Sequence, residues 1–162
     1  MTQRIVVATD GSPASDAAIE LALSFASREG AHLLFLHAVD EPAIFAATAA
    51  ILFDPTPTLR ALETTGEALL AAAERRAAER HLPAKTRLMY GDPVDMILAG
   101  AQDWDADLIV MGTHGRRGFS HLLLGSTAER VLQRSSLPVL VTKAVTLSHC
   151  AAHEGRWQWK KP

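Results

Sequence analysis

Between Gly112 and Thr127 the chain reads Gly-Thr-His-Gly-Arg-Arg-Gly-Phe-Ser-His-Leu-Leu-Leu-Gly-Ser-Thr. The stretch joins an apolar run, Leu108 to Met111, to a segment of helical periodicity that opens at Ser126. Such an order of residue types suits an anion. Main-chain N–H groups left unpaired at a helix N-terminus, together with the helix dipole, attract negative charge. Gly112 and Gly115 would let main chain come close to a ribose or phosphate, and Gly125 would clear the mouth of the helix. Ser126 and Thr127 would donate hydroxyl and amide hydrogen bonds, and Arg116 and Arg117 could cover phosphate charge.

The spacing excludes two other phosphate-binding patterns. No lysine precedes Ser126, as a Walker-type loop requires, and Gly112-x2-Gly115-x2-Gly118 departs from the dinucleotide fingerprint Gly-x-Gly-x-x-Gly. What remains is Gly112-x2-Gly115-x9-Gly125-Ser126, which reads as a cradle for a mononucleotide. Each residue also has a plainer use. A Ser-Thr pair after glycine is a common helix cap, Asp10 before Gly11 could close an Asx-turn, and loop arginines are usually solvated. His114 and His121 have no carboxylate or second ligand at fixed spacing and read as solvent-facing. No nucleophile, base and orienter form a set, so no catalytic or metal-ligating residue is assigned.

The elements around this loop follow from apolar patterning. Ile5 to Thr9 is a buried strand; Ser12 and Pro13 then suit the N-cap and first position of a helix that carries Ala17, Leu21, Ala22, Phe25 and Ala26 on one stripe and stops at Gly30. Ala31 to Val39 is a second strand. Asp40 to Pro57 holds three prolines yet is nearly all apolar from Ala43 to Phe53, and reads as a flap or short helix. Leu59, Leu62, Leu69, Leu70, Ala73 and Ala77 stripe a long helix ending near His81 and Pro83. Lys85 to Tyr90 is a third strand, Gly91-Asp92-Pro93 restarts a helix with Val94, Ile97, Leu98 and Ala101 inward, and Asp107 to Met111 and Pro138 to Thr142 are the last strands. Alternating strands and helices with uniformly apolar strands predict an α/β fold: one doubly wound, five-stranded parallel sheet of order 3-2-1-4-5 with helices on both faces. Ligands of such sheets bind at the carboxyl ends of the strands where the order reverses, which would set Asp10 opposite the Gly112 loop.

Composition narrows the class. The chain has 162 residues, a formal net charge of −2 and a single cysteine, Cys150. That near balance predicts no nucleic-acid partner, and no run of about 18 apolar residues predicts a membrane span. With no signal-peptide core and no possible intrachain disulfide, the expected location is the cytoplasm. Residues 1–143 are expected to form the domain and 144–162 a C-terminal extension carrying His149, Cys150, His153, Trp157 and Trp159. Its three close His and Cys residues are one short of a structural zinc set, and tryptophans packing on the domain or a partner subunit are the favoured reading.

The glycine spacing, with Ala8-Thr9-Asp10-Gly11-Ser12 after the first strand, His37-Ala38-Val39 at the second and Leu137-Pro138-Val139-Leu140-Val141 at the fifth, resembles the universal stress protein family over residues 3 to about 143. The glycines match its nucleotide-binding branch at every fixed position. The resemblance implies that Ala8, Thr9 and Asp10 contact adenine and ribose and that main chain at Ala38 helps read the adenine edge. Met111 and Gly112 would line the nucleoside, and Gly115, Arg116, Gly125, Ser126 and Thr127 would hold the phosphates. The implied cofactors are ATP, or ADP or AMP, with Mg²⁺ or Mn²⁺ bound mainly through phosphate oxygens. A homodimer through Pro138 to Thr142 is expected as well, since pairing an open apolar edge strand with its own copy removes an aggregation hazard. The expected role is an ATP-binding sensor or regulator of a stress response with a further protein partner. Two alternatives stand beside it: a slow ATPase or autophosphorylating protein with Ser126 or Thr127 as acceptor, and a dimeric scaffold that binds no nucleotide.

Overall fold

The structure, a computed structural model, describes residues 3–49, 54–113 and 124–144. Its elements in chain order are β1 (Arg4–Ala8), α1 (Pro13–Glu29), β2 (His32–Val39), α2 (Glu41–Ala49), α3 (Thr56–Ala78), β3 (Ala84–Tyr90), α4 (Pro93–Asp103), β4 (Leu108–Gly112), α5 (Ser126–Arg134) and β5 (Val139–Thr142). All strand pairs are parallel and the sheet order is β3-β2-β1-β4-β5, as the patterning predicts. The order reverses between β1 and β4, where Val7 lies opposite Val110 and Ala8 opposite Met111.

Strand geometry sends alternate side chains to opposite faces, which splits the uniformly apolar strands between two cores. Ile5, Val7, Leu33, Phe35 and Val110 pack under α1 and α3, whereas Val6, Leu34, Leu36, Ile109 and Met111 pack under α4 and α5. The Ser12 side chain caps α1 by accepting from the Ser15 N–H at 3.2 Å, Pro13 takes the first turn and Gly30 closes the helix. On the outer side of the first layer, Arg76 of α3 and Arg80, just past its C-terminus, each reach Glu20 of α1 at 2.7 Å. Hydrogen bonds from Arg80 and then Arg76 hold the Glu20 carboxyl below its usual range. Being half exposed, these pairs orient the helices more than they stabilise them, at about 0–1 kcal/mol each.

One expectation fails in α1. The helix buries Ala18, Ile19, Ala22, Leu23 and Ala26, while Leu21 and Phe25 are 38% and 36% exposed. The positions 17, 21, 25 and 18, 22, 26 run as neighbouring stripes with one period, so spacing alone does not choose between them. The sheet takes the face that pairs Ala18, Ala22 and Ala26 with Ile19 and Leu23. Smaller differences fall at element ends: β3 begins at Ala84, β4 runs to Gly112, and β5 begins at Val139 because Pro138 has no N–H and joins the ladder only through its carbonyl, which accepts from Ile109 at 3.0 Å. In the long α3 stripe Leu70, Ala73 and Ala77 are buried, whereas Leu59, Leu62 and Leu69 are half-buried. Part of the segment from Asp40 to Pro57 is the short helix α2, started by Asp40 accepting from the Ala43 N–H at 3.0 Å. None of its residues is buried, and Phe45 is 49% exposed.

Candidate functional site

The carboxyl ends of β1, β2 and β4 bring together most of the residues singled out by sequence. Ala8 lies between Leu36 and Met111, and both Ala8 and Thr9 are buried. From Thr9 the chain turns sharply into α1. Asp10 Oδ1 accepts from the Ser12 N–H at 3.0 Å, so the Asx-turn use of Asp10 is realised. Thr9 Oγ1 donates to Ser15 Oγ at 3.2 Å, and Ser15 Oγ donates to the Ser12 carbonyl at 2.9 Å. This polar network fixes the turn from beneath.

Across the reversal, β4 ends at Gly112, and the chain returns at Leu124. Both ends of the connection are pinned. The Thr113 N–H donates to the Thr142 carbonyl at 2.6 Å, and the Gly125 N–H donates to the Thr113 carbonyl at 2.7 Å. Gly125 is therefore the N-cap residue of α5, with extended main chain, and Ser126 and Thr127 occupy the first turn as N1 and N2. Among the described residues no side chain caps this helix, so the cap reading of Ser126 and Thr127 is not the one adopted. Their N–H groups belong to the set that a helix leaves unpaired.

Gly112 has an unexpected reason to be glycine. A Cβ there would stand 2.8 Å from the Ala14 carbonyl carbon and the Ser15 nitrogen, so the missing side chain lets the first turn of α1 press against the end of β4. Thr142 Oγ1 adds to the same junction by donating to the Ala14 carbonyl at 3.0 Å. The sequence reading gave Gly112 a close approach to a ligand; the structure shows that α1 comes close at the same glycine.

Two contacts at the site carry no sequence assignment. His37 Nδ1 lies 2.7 Å from the Thr9 carbonyl. Because a carbonyl oxygen only accepts, Nδ1 holds the proton and donates. Below the opposite edge of the imidazole lies Gly66 of α3, where a Cβ would meet His37 Cδ2 at 2.5 Å. A polar residue inside the apolar run Leu33 to Val39 is the one signal that could have marked His37. On the neighbouring side, Asp92 caps α4 by accepting from Val94 and Asp95, and its Oδ2 accepts from Arg130 of α5 at 3.1 Å. Burial pushes the Asp92 carboxyl up, but Arg130 and the two N–H groups outweigh it and hold the group below the usual carboxylate range.

Gly115, Arg116, Arg117, His114 and His121 lie outside the described residues, as do the tail residues His149, Cys150, His153, Trp157 and Trp159. Among the described residues no three His, Cys, Asp or Glu side chains form a metal-binding group, and no helix is long and apolar enough to cross a membrane.

Comparison with known proteins agrees with this architecture. A model of the universal stress protein family matches residues 1–143. Universal stress protein MJ0531 of Methanocaldococcus jannaschii is 34% identical over 141 residues, covering 87% of this chain and 82% of that protein. The solved structure of MJ0577, from the same organism, superposes with a TM-score of 0.77 at 26% identity over 88% of this chain and 96% of that one. A universal stress protein solved in complex with cAMP gives a TM-score of 0.63 at 29% identity, covering 89% and 98% of the two chains.

Proposed function

The chain belongs to the universal stress protein family, and on that footing we propose that it binds an adenine mononucleotide and acts as a nucleotide-dependent regulator in the cytoplasm. One observation carries the reading: the α5 N-terminus, with no side-chain cap among the described residues, is tied through Gly125 to the end of β4, beside the Thr9 to Ser12 turn of β1. Phosphates take the N–H groups of Ser126 and Thr127 and the Ser126 hydroxyl, completed by Gly115 and Arg116. Ribose and base lie against Ala8, Thr9, Asp10, Met111 and Gly112, with the main chain of Ala38 at the base edge. The complex of a relative with cAMP supports an adenine ligand; ATP, ADP and AMP offer the same base and ribose. Mg²⁺ or Mn²⁺ accompanies a triphosphate through its own oxygens, since the site supplies N–H and hydroxyl donors rather than a carboxylate set.

The same reading includes a homodimer. β5 is an outer strand whose four residues are half-buried. Glu20 faces α3, so Leu21 and Phe25 fall on the opposite flank of α1, toward β5, and extend the apolar edge. Pairing of two such edges would cover both.

Titration with Mg²⁺·ATP by calorimetry tests the binding. A one-to-one heat per chain and a rise in Tm are expected, and Ser126→Ala should weaken affinity about tenfold, as loss of a hydrogen bond to a charged phosphate does. No heat and no thermal shift would overturn the proposal. Incubation with γ-labelled ATP separates a holder from an enzyme: nucleotide recovered intact is expected, and label on Ser126 or Thr127 or released phosphate would favour turnover.

A further inference from the structure

In a parallel ladder, residue i of one strand donates its N–H to the carbonyl before its partner and accepts at its own carbonyl from the N–H after that partner. β1 and β2 follow this rule up to the pair Ala8 and Leu36, so the next rung would set Thr9 opposite His37. Half of that rung exists: the Thr9 N–H donates to the Leu36 carbonyl at 2.9 Å. The other half would carry the Ala38 N–H to the Thr9 carbonyl. At that carbonyl stands the His37 side chain instead, with Nδ1 at 2.7 Å. The β1–β2 ladder stops there, while β2 itself runs on beside β3 through Ala38 opposite Met89 and Val39 opposite Tyr90.

From this geometry we infer that His37 is a positioning residue for base recognition: by occupying the Thr9 carbonyl, it keeps the Ala38 N–H out of the sheet and available to a ligand in the crevice. The alternation of the ladder fixes the direction. Val39 uses its carbonyl toward β3, accepting from Gly91 at 3.0 Å, and Leu36 uses its own toward β1. Ala38 therefore turns both its N–H and its carbonyl to the β1 side, past the last complete rung. A donor and an acceptor one residue wide suit the edge of a purine, which offers a ring nitrogen beside an exocyclic group. Gly66 completes the device. Its Cβ would come within 2.5 Å of His37 Cδ2 and 3.2 Å of Nε2, so only glycine lets α3 lie against the ring and keep Nδ1 on the carbonyl.

The inference rests on the proposed adenine site, and two measurements separate the two claims. The first needs no nucleotide. Amide hydrogen exchange of the free protein should show Ala38 exchanging fast in the wild type and becoming protected in His37→Leu, where the rung can close; His37→Asn, whose amide can donate from the place of Nδ1, should restore fast exchange. The second compares ATP, ITP and inorganic tripolyphosphate by calorimetry. His37→Leu should lose about five- to tenfold in affinity for ATP and bring the ATP-to-ITP ratio toward one, with tripolyphosphate binding unchanged, and His37→Asn should recover the ratio. Gly66→Ala, which displaces the ring without touching its chemistry, should resemble His37→Leu. A protected Ala38 amide in the wild type, or an unchanged ATP-to-ITP ratio in a folded His37→Leu protein, overturns the assignment. Failure of the wild type to bind any nucleotide would overturn the proposed function, and the exchange of Ala38 would still decide the role of His37.

Discussion

Gly112→Ala is the sharpest test of how the site is built. The added Cβ would sit 2.8 Å from two main-chain atoms of α1 and 2.9 Å from Ala14 Cβ, where ordinary contact begins near 3.4 Å. No side-chain rotation relieves this, because the obstructing atoms lie in a helix turn held by the Ser12 cap and by the hydrogen bond from Thr142 to Ala14. The first turn of α1 must move away from β4. Overpacking of this kind costs about 1–3 kcal/mol. Replacing glycine within a strand returns about 0.5–1 kcal/mol by narrowing the unfolded ensemble. The expected net loss is therefore about 1–2 kcal/mol, which for a domain of this size lowers Tm by roughly 2–8 °C. Urea unfolding should show a reduced midpoint with an unchanged slope. The displaced turn is tied through Ser15 to Thr9 and Ser12, so ATP affinity should fall alongside stability. A variant as stable as the wild type, or more so, would refute the claim that Gly112 serves the α1–β4 contact.

Two further outcomes can be read from single groups. Tyr90 is the sole tyrosine of the chain, so phenolate absorbance near 295 nm reports it alone. Its hydroxyl donates to Glu63 at 2.5 Å, and that bond, followed by desolvation and the charges of Glu63, Glu67 and Glu41, pushes its pKa up to about 12 from the usual 10. A raised folded-state pKa gives stability that is complete below pH 10 and is lost as pH climbs from 10 to 12; Glu63→Gln should move the titration midpoint down and flatten that loss, and a midpoint of 10 in the wild type would contradict the contact. At the start of α4, Asp92→Ala removes both the cap and the partner of Arg130 and should cost about 1–2 kcal/mol in urea unfolding, whereas Asp92→Asn keeps an oxygen for Val94 and Asp95 and should cost under about 1 kcal/mol. Equal losses in the two variants would assign the stabilisation to the ion pair instead.

Most of the architecture and the greater part of the candidate site were legible in the amino-acid sequence. Apolar runs such as Ile5 to Val7 and Leu33 to Leu36 declare buried strands, and Ser12-Pro13, Gly30 and Asp92-Pro93 mark helix ends through side chains that act on main chain a few residues away. These are local signals, and alternating them along the chain leaves few topologies open, since crossovers between parallel strands are right-handed. The reversal between β1 and β4, and with it the side-by-side placing of their carboxyl ends, follows from that order. Residue patterning alone did not reveal why Gly112 must be glycine, which of two adjacent stripes α1 buries, or that His37 stands on the Thr9 carbonyl. Each depends on residues distant in sequence: 128 positions separate Thr142 from Ala14, and 28 separate His37 from Thr9. Local chemistry determined which elements form and where the crevice opens; only strand register and helix depth decided which atoms meet there, because a shift of one residue or half an ångström changes those contacts and leaves the sequence pattern untouched.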